Sequence, residues 1–337
     1  MVCVPKIIRY FSFFDILVFF EDLYDRSEMT DSMEQQSILY RPELNPDKGK
    51  FTLWGTRGSI PCSGSSYVRY GGNTSCFEFA VGDERIVFDA GSGIRELGQS
   101  LTSSAGPRKI HLFITHTHWD HIQGFPFFLP AYLAGYELNV YAAPRAEHDL
   151  ESIFRGQLDR AYFPVQMEDM QAKLVFNYLE NSPIRIGDVE INWEYTFHPG
   201  ATVAYKITHA GQNLVYSPDN EFLKGYLGPI VGELNRDWQE EYRTFLDFCR
   251  DVDVLIHEAQ YSVDEYESKI GWGHTCVHNA CSLAHIADVK RWIVIHHDPS
   301  HSDDKLDAKL NLTRQMLSDL NSDVIVDHGY DHMETYL

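Results

Sequence analysis

From residue 50 onward, short apolar, β-branched or aromatic runs alternate with polar turns, the signature of a sheet-rich domain. Eleven runs predict strands: 50–54, 76–81, 85–89, 109–115, 138–142, 189–197, 203–208, 213–217, 254–257, 292–296 and 323–326. A helical period appears late. Leu306, Leu310, Thr313, Leu317 and Leu320 recur at spacings of four, three, four and three, which puts them on one helix face. Asp303 and Asp304 stand at its start, where carboxylates suit the helix dipole. Segments 233–249 and 277–287 read as two more helices. Strands in both halves, with helices interspersed and concentrated late, suggest two sheets packed face to face under outer helices. Periodicity alone does not separate this from other α/β layouts.

The first fifty residues are different. Residues 7–20 form the most apolar window, broken by Arg9 and Asp15 and followed directly by Glu21 and Asp22. Its fourteen residues are too few to span a bilayer, and no small-residue cleavage site follows. Pro42, Asn45, Pro46 and Gly49 then punctuate the chain. The expected organisation is an N-terminal extension or linker over 1–47 and one folded domain over 48–337.

The 337 residues are 44% hydrophobic and 23% charged, an ordinary globular composition that excludes wholesale disorder. Net charge is −21, from 28 basic and 49 acidic residues, which argues against a broad grip on a long polyphosphate backbone. A small anionic substrate at a local cationic centre stays compatible with it. Six cysteines without a CxxC pair fit a reduced, cytoplasmic setting. Sixteen histidines carry more information, because they cluster.

The densest cluster is Ile114-Thr115-His116-Thr117-His118-Trp119-Asp120-His121, directly after a predicted strand. In extended chain His116 and His118 point to one side, while Asp120 and His121 follow at the turn and can address a second point nearby. Neutral imidazole and carboxylate suit zinc and similar divalent cations. Four such groups within six positions are hard to explain as packing, because unpaired buried polar groups are costly.

This run resembles the HxHxDH motif of the metallo-β-lactamase superfamily, matched by His116, His118, Asp120 and His121, and the resemblance extends over about residues 50–330. The fold it implies is α/β, the αββα sandwich of two mixed sheets with helices outside. Asp89 in Phe88-Asp89-Ala90-Gly91 resembles the early aspartate that orients a metal ligand. His198 in Phe197-His198-Pro199-Gly200 resembles the next ligand, and Asp219 in Ser217-Pro218-Asp219 the carboxylate that bridges two metals. The last ligand falls in Ile295-His296-His297-Asp298; counting from the strand end favours His296 over His297. The resemblance thus implies one metal on His116, His118 and His198, a second on Asp120, His121 and His296, and Asp219 between them. Zn2+ leads, with Mn2+ or Fe2+ compatible with the same ligands.

Two further segments, Leu255-Ile256-His257-Glu258-Ala259 and Gly273-His274-Thr275, resemble the HEAT and HST motifs of the tRNase Z-like phosphodiesterase branch. They depart from it at Gln260, in place of Thr, and at Thr275-Cys276, in place of Ser-Thr. The resemblance makes His274 the general acid, Glu258 its orienting partner, and Asp120 a member of the catalytic group as well as a ligand. Trp54-Gly55-Thr56-Arg57-Gly58-Ser59 and Tyr70-Gly71-Gly72-Asn73-Thr74-Ser75 resemble the opening of phosphodiesterase-like members, cyclic-nucleotide enzymes among them.

Long tRNA-processing relatives carry a basic, Gly-rich arm. Residues 125–180 are instead apolar, aromatic and acidic. The expectation is therefore hydrolysis of a small phosphodiester, a 3′,5′-cyclic nucleotide first, by hydroxide attack at the two metals, with no long nucleic acid as partner. Phe125, Phe127, Phe128, Tyr132 and Tyr162 are candidates either for a base-stacking wall or for ordinary core. The rival readings are an RNA 3′-end processing phosphodiesterase, a carboxylic or thioester hydrolase, and a diiron oxidoreductase on the same fold. That last class usually replaces His118 with a carboxylate. Many relatives are homodimers, and the same is expected here.

Overall fold

The computed structural model describes residues 49–103, 106–144, 149–180 and 182–337. The extension expected over 1–47 lies outside the described residues.

In chain order the elements are β1 (Lys50–Gly55), β2 (Cys76–Val81), β3 (Glu84–Phe88), α1 (Ile94–Ser103), β4 (Lys109–Phe113), α2 (Trp119–Ile122), β5 (Glu137–Ala142), α3 (Leu150–Gln157), β6 (Lys173–Tyr178), β7 (Ile184–Ile186), β8 (Val189–Tyr195), β9 (Val203–His209), β10 (Gln212–Ser217), α4 (Arg236–Cys249), β11 (Val254–Glu258), α5 (Val263–Tyr266), α6 (Val277–Ile286), β12 (Arg291–Ile295), α7 (Asp303–Asp319), β13 (Ile325–His328) and β14 (Met333–Tyr336).

Two seven-stranded mixed sheets result, ordered β14-β1-β2-β3-β4-β5-β6 and β13-β12-β11-β10-β9-β8-β7. In the first, β3 to β6 run parallel and β14 to β3 antiparallel. The second repeats the plan, with β10 to β13 parallel and β7 to β10 antiparallel. Each parallel half needs cover on both faces. Strand β12 shows how its sequence provides it. Trp292 and Val294 join the core beneath the helices, while Ile293 and Ile295 join the core between the sheets.

The inter-sheet core is aromatic. Phe77 stacks on Tyr216 at 5.1 Å, and Phe113 meets Tyr205 edge-on at 5.4 Å. Helices α4, α6 and α7 cover the second sheet through Phe245, Leu283 and Leu317, and α1 and α3 cover the first through Leu97 and Phe154. This is the αββα sandwich.

Several elements depart from the sequence pattern. Strands β6, β7 and β14 and helices α1 and α3 were not among those it predicts. β6 and β14 are edge strands, where one-sided burial leaves little apolar signal. The helix expected from residue 233 begins at Arg236, because Asn235 caps it by accepting Trp238 N–H at 2.9 Å. The strand expected over 323–326 lies at Ile325–His328. The predicted strands 109–115, 189–197 and 292–296 all stop short, at Phe113, Tyr195 and Ile295. Their freed residues lead into the cluster described next.

Candidate metal centre

Strands β8, β10, β11 and β12 share one direction, so their C-terminal ends lie along one edge of the second sheet. His198, Asp219 and His296 leave those ends, and His116 and His118 leave the end of β4 opposite. Asp120 and His121 sit on the single turn of α2. The seven residues come together.

They fall into two groups joined by one carboxylate. In the first, His118 Nδ1 lies 2.9 Å from His116 Nε2 and 3.1 Å from His198 Nε2. Asp219 Oδ2 lies 3.5 Å from His116 Nε2 and 3.7 Å from His198 Nε2. In the second, Asp120 Oδ2 lies 3.4 Å from His121 Nε2 and 3.1 Å from His296 Nε2. The other oxygen of Asp219, Oδ1, lies 3.1 Å and 3.3 Å from the same two nitrogens.

Do these residues fit two cations? His121 Nε2 and Asp219 Oδ1 are buried without hydrogen-bond geometry to any partner, an arrangement too costly to leave uncompensated. Three imidazole nitrogens converge in the first group, and lone pairs so placed repel unless a shared cation or proton lies among them. Imidazole with carboxylate is the donor set of zinc and its neighbours. The fit is good for one divalent ion per group.

Packing around the cluster fixes its rings. Asp89, at φ 61°, accepts Thr115 N–H at 2.8 Å and the Tyr216 hydroxyl at 3.1 Å, and lies 2.8 Å from His121 Nδ1. His198 Nδ1 lies 2.7 Å from the Gly273 carbonyl and so donates to it. Both contacts leave Nε2 as the ligand atom. Ser59 N–H donates to Asp120 Oδ2 at 2.7 Å. Two glycines are needed because rings lie on them. A Cβ on Gly58 would stand 2.2 Å from His296 Nδ1, and one on Gly273 2.3 Å from His198 Nδ1. Burial opposes ionisation of Asp120 and Asp219, but the His121 ring and then His296 outweigh it, holding both carboxyls well below the usual range. Burial pushes His198 down to about 4, which keeps a neutral, ligating imidazole at physiological pH.

His296 and His297 face opposite ways. His296 takes the left-handed conformation, φ 53°, and turns into the second group. His297 Nε2 lies 2.9 Å from the Gly329 carbonyl, with its ring 5.0 Å from that of His328.

Beside the cluster, His274 Nδ1 lies 3.0 Å from Glu258 Oε1 and 4.0 Å from Asp219 Oδ2. Glu258 ends β11, fully buried, and also accepts Asn220 N–H at 2.8 Å and Thr275 N–H at 3.1 Å. Burial lowers the affinity of His274 for a proton, yet Glu258 and then Asp219 and Asp120 raise its pKa to about 9. A protonated imidazole beside two cation sites can donate to an oxygen bound there.

Sequence reasoning named the segment that holds Gly58 and Ser59 but not their roles, under the His296 ring and on the Asp120 carboxylate, and it missed the Tyr216 hydroxyl on Asp89 and the Asn220 N–H on Glu258. Of the aromatic residues proposed for stacking, Phe125 and Phe128 are fully buried and Tyr132 nearly so, all in the core under α1 and α3. Only Phe127 and Tyr162 are exposed.

The β-lactamase superfamily domain profile matches residues 84–297. Ribonuclease Z of Archaeoglobus fulgidus is 25% identical over 307 residues, covering 76% of this chain and 89% of that protein. The metallo-β-lactamase fold protein YhfI of Bacillus subtilis superposes with a TM-score of 0.61 at 19% identity, over 86% of this chain and all of its own. Unliganded yeast PDE1 gives 0.60 at 15%, over 86% and 99%. The chain belongs to the β-lactamase superfamily and is a metal-dependent hydrolase. Among the described residues, no helix is long and apolar enough to cross a membrane.

Proposed function

We propose that this chain is a binuclear phosphodiesterase whose substrate is a small nucleotide phosphodiester, a 3′,5′-cyclic nucleotide first. The observation that carries this reading is the His274–Glu258 pair at 3.0 Å, set 4.0 Å from the carboxylate that joins the two ligand groups. The alcohol of a phosphodiester departs as an alkoxide and needs a proton; the thiol of a thioester departs as a stable thiolate and does not.

His116, His118 and His198 would hold one divalent ion and Asp120, His121 and His296 the other, with Asp219 offering one oxygen to each. Two such ions, zinc first with manganese or iron on the same ligands, supply Lewis acidity toward water and a phosphoryl oxygen. Glu258 occupies His274 Nδ1, so the proton to be donated would be the one on Nε2. As the bond from phosphorus to the leaving oxygen breaks, that oxygen takes the proton of His274. Glu258 steadies the imidazolium beforehand, its other contacts being two backbone N–H groups. Asp120 serves with them, fixed by Ser59 N–H at 2.7 Å.

The net charge of −21 supports a small substrate over a folded RNA. A second reading, RNA 3′-end processing, is favoured by the relative named ribonuclease Z, which aligns over 89% of its length. The diiron oxidoreductase reading is disfavoured by His118, whose imidazole stands where that class usually has a carboxylate. The five described cysteines are all free, which suits the cytoplasm, and a homodimer is the oligomer to look for.

The test is a panel of bis-p-nitrophenyl phosphate, 3′,5′-cyclic AMP, 3′,5′-cyclic GMP, an RNA with a 3′ extension, and a thioester, given to metal-loaded wild type and His274→Ala. Cyclic-nucleotide hydrolysis that collapses in the variant supports the proposal. RNA cleavage with silent cyclic nucleotides selects the second reading. Thioester turnover indifferent to His274 overturns both.

A further inference from the structure

The loop before His274 is held with unusual firmness for a surface segment. Glu221, 2% exposed, accepts Gly271 N–H at 2.7 Å and the Tyr266 hydroxyl at 2.9 Å on Oε1. Its Oε2 accepts Gly273 N–H at 3.0 Å. One buried carboxylate therefore pins the backbone on both sides of Trp272, and Trp272 N–H itself donates to the Lys269 carbonyl at 3.0 Å. Gly271 and Gly273 take φ of 86° and 90°, a conformation that L side chains rarely adopt. The carbonyl of Gly273 is the one that receives His198 Nδ1. The loop is thus tied to the metal centre at one end and to the proton donor by the next residue.

What this rigid loop displays is a large aromatic ring. Trp272 is 57% exposed, although indole is the side chain with most to gain from burial. Lys269 Nζ lies 3.9 Å from its ring centroid, a cation–π contact. Lys224 reaches the same loop, since a Cβ on Gly271 would stand 3.8 Å from its Nζ. Neither lysine has a carboxylate within ion-pair distance among the described residues. A chain with 49 acidic and 28 basic residues here keeps one unneutralised ammonium group over the indole and a second beside Gly271, on the loop that leads to the proton donor.

We propose that Trp272, with Lys269 and Lys224, forms the rim on which the substrate's nucleobase stacks while its phosphate enters the metal centre. Indole accepts a base face by stacking, and the ammonium groups favour an anion approaching beside it. Glu221 is a positioning residue that holds the platform. The aromatic platform therefore lies on the His274 loop, not in residues 125–132. The inference rests on the phosphodiesterase reading and narrows it to diesters that carry a base, whether a free cyclic nucleotide or the 3′ end of an RNA.

The test compares kcat/KM for 3′,5′-cyclic AMP with that for its abasic analogue, ribose 3′,5′-cyclic phosphate, and does the same for an RNA 3′ end with and without its terminal base. Trp272→Ala lowers the base-over-abasic ratio about 10- to 100-fold, chiefly through KM, and Trp272→Phe restores most of it. The arm in which the ratio moves identifies the source of the base. Equal losses on base-bearing and abasic substrates, or a ratio unchanged in both arms, overturn the platform while leaving the phosphodiesterase reading intact. Failure of wild type to turn over any diester, abasic ones included, overturns that reading itself and the platform with it.

Discussion

His274 Nδ1 sits 3.0 Å from Glu258 Oε1, and the Glu258 carboxylate is otherwise committed to the backbone N–H groups of Asn220 and Thr275. Its charge lies against the imidazole, and its orientation is fixed by the backbone of Asn220 and of the residue after His274. His274→Ala lowers kcat about 10²- to 10⁴-fold on substrates with alkoxide leaving groups. The loss is much smaller with p-nitrophenolate, which departs without protonation. A series of diesters graded by leaving-group pKa checks this: the variant shows a steeper dependence than wild type, and equal slopes contradict the assignment.

Gly58 lies under the ring of His296, so Gly58→Ala forces the imidazole to move by the clash of a Cβ at 2.2 Å. The expected outcome is loss of one metal equivalent per chain, with the far-UV spectrum retained. Metal analysis after dialysis decides it; two equivalents retained would show that His296 is not required as a ligand.

Asp89 fixes His121 from behind, at 2.8 Å from Nδ1. Asp89→Asn removes the charge and keeps the shape. Metal affinity falls about 10- to 100-fold, read by competition with a chromophoric chelator.

Lys309, which is not one of the ligand residues, supplies a pH prediction. It lies on the buried face of α7 and donates to the carbonyls of Ala259 at 2.7 Å and Gln260 at 3.3 Å. Burial pushes its ammonium down to about 8 from the ordinary 10.5, against the pull of Asp298, Glu265 and Glu258. The unfolded chain binds more protons between those two values, so stability rises with pH across that window. Relative to Lys309→Met, wild type gains about 3 kcal/mol at most between pH 8 and 10.5. Denaturant midpoints of both proteins over that range check the sign.

The sequence exposes contiguous features best. His116, His118, Asp120 and His121 stand within six residues, so one turn of chain reveals four ligands without any knowledge of the fold. His198, Asp219 and His296 are separated by tens of residues and are legible only through a family pattern. Ser59 stands in a motif the sequence shows, but its role is not legible there: it acts through its backbone N–H across 61 residues of sequence, and a backbone atom leaves no residue-type signature. The same holds for the fold. Strand β12 reads clearly because both its faces are buried, whereas β14 is a four-residue edge strand that pairs with β1 from the far end of the chain. Glu221 belongs to no motif, yet it shapes the loop beside His274.

The central claim is that two cations, joined through Asp219, support hydrolysis of a phosphodiester. The most direct test titrates Zn2+ or Mn2+ into the metal-stripped protein and follows turnover of 3′,5′-cyclic AMP and bis-p-nitrophenyl phosphate. Activity that is absent at zero equivalents, rises to a plateau at two per chain, and is lost in Asp219→Asn bears the account out. Diester hydrolysis that survives complete metal removal, or a plateau at one equivalent unaffected by Asp219→Asn, contradicts it.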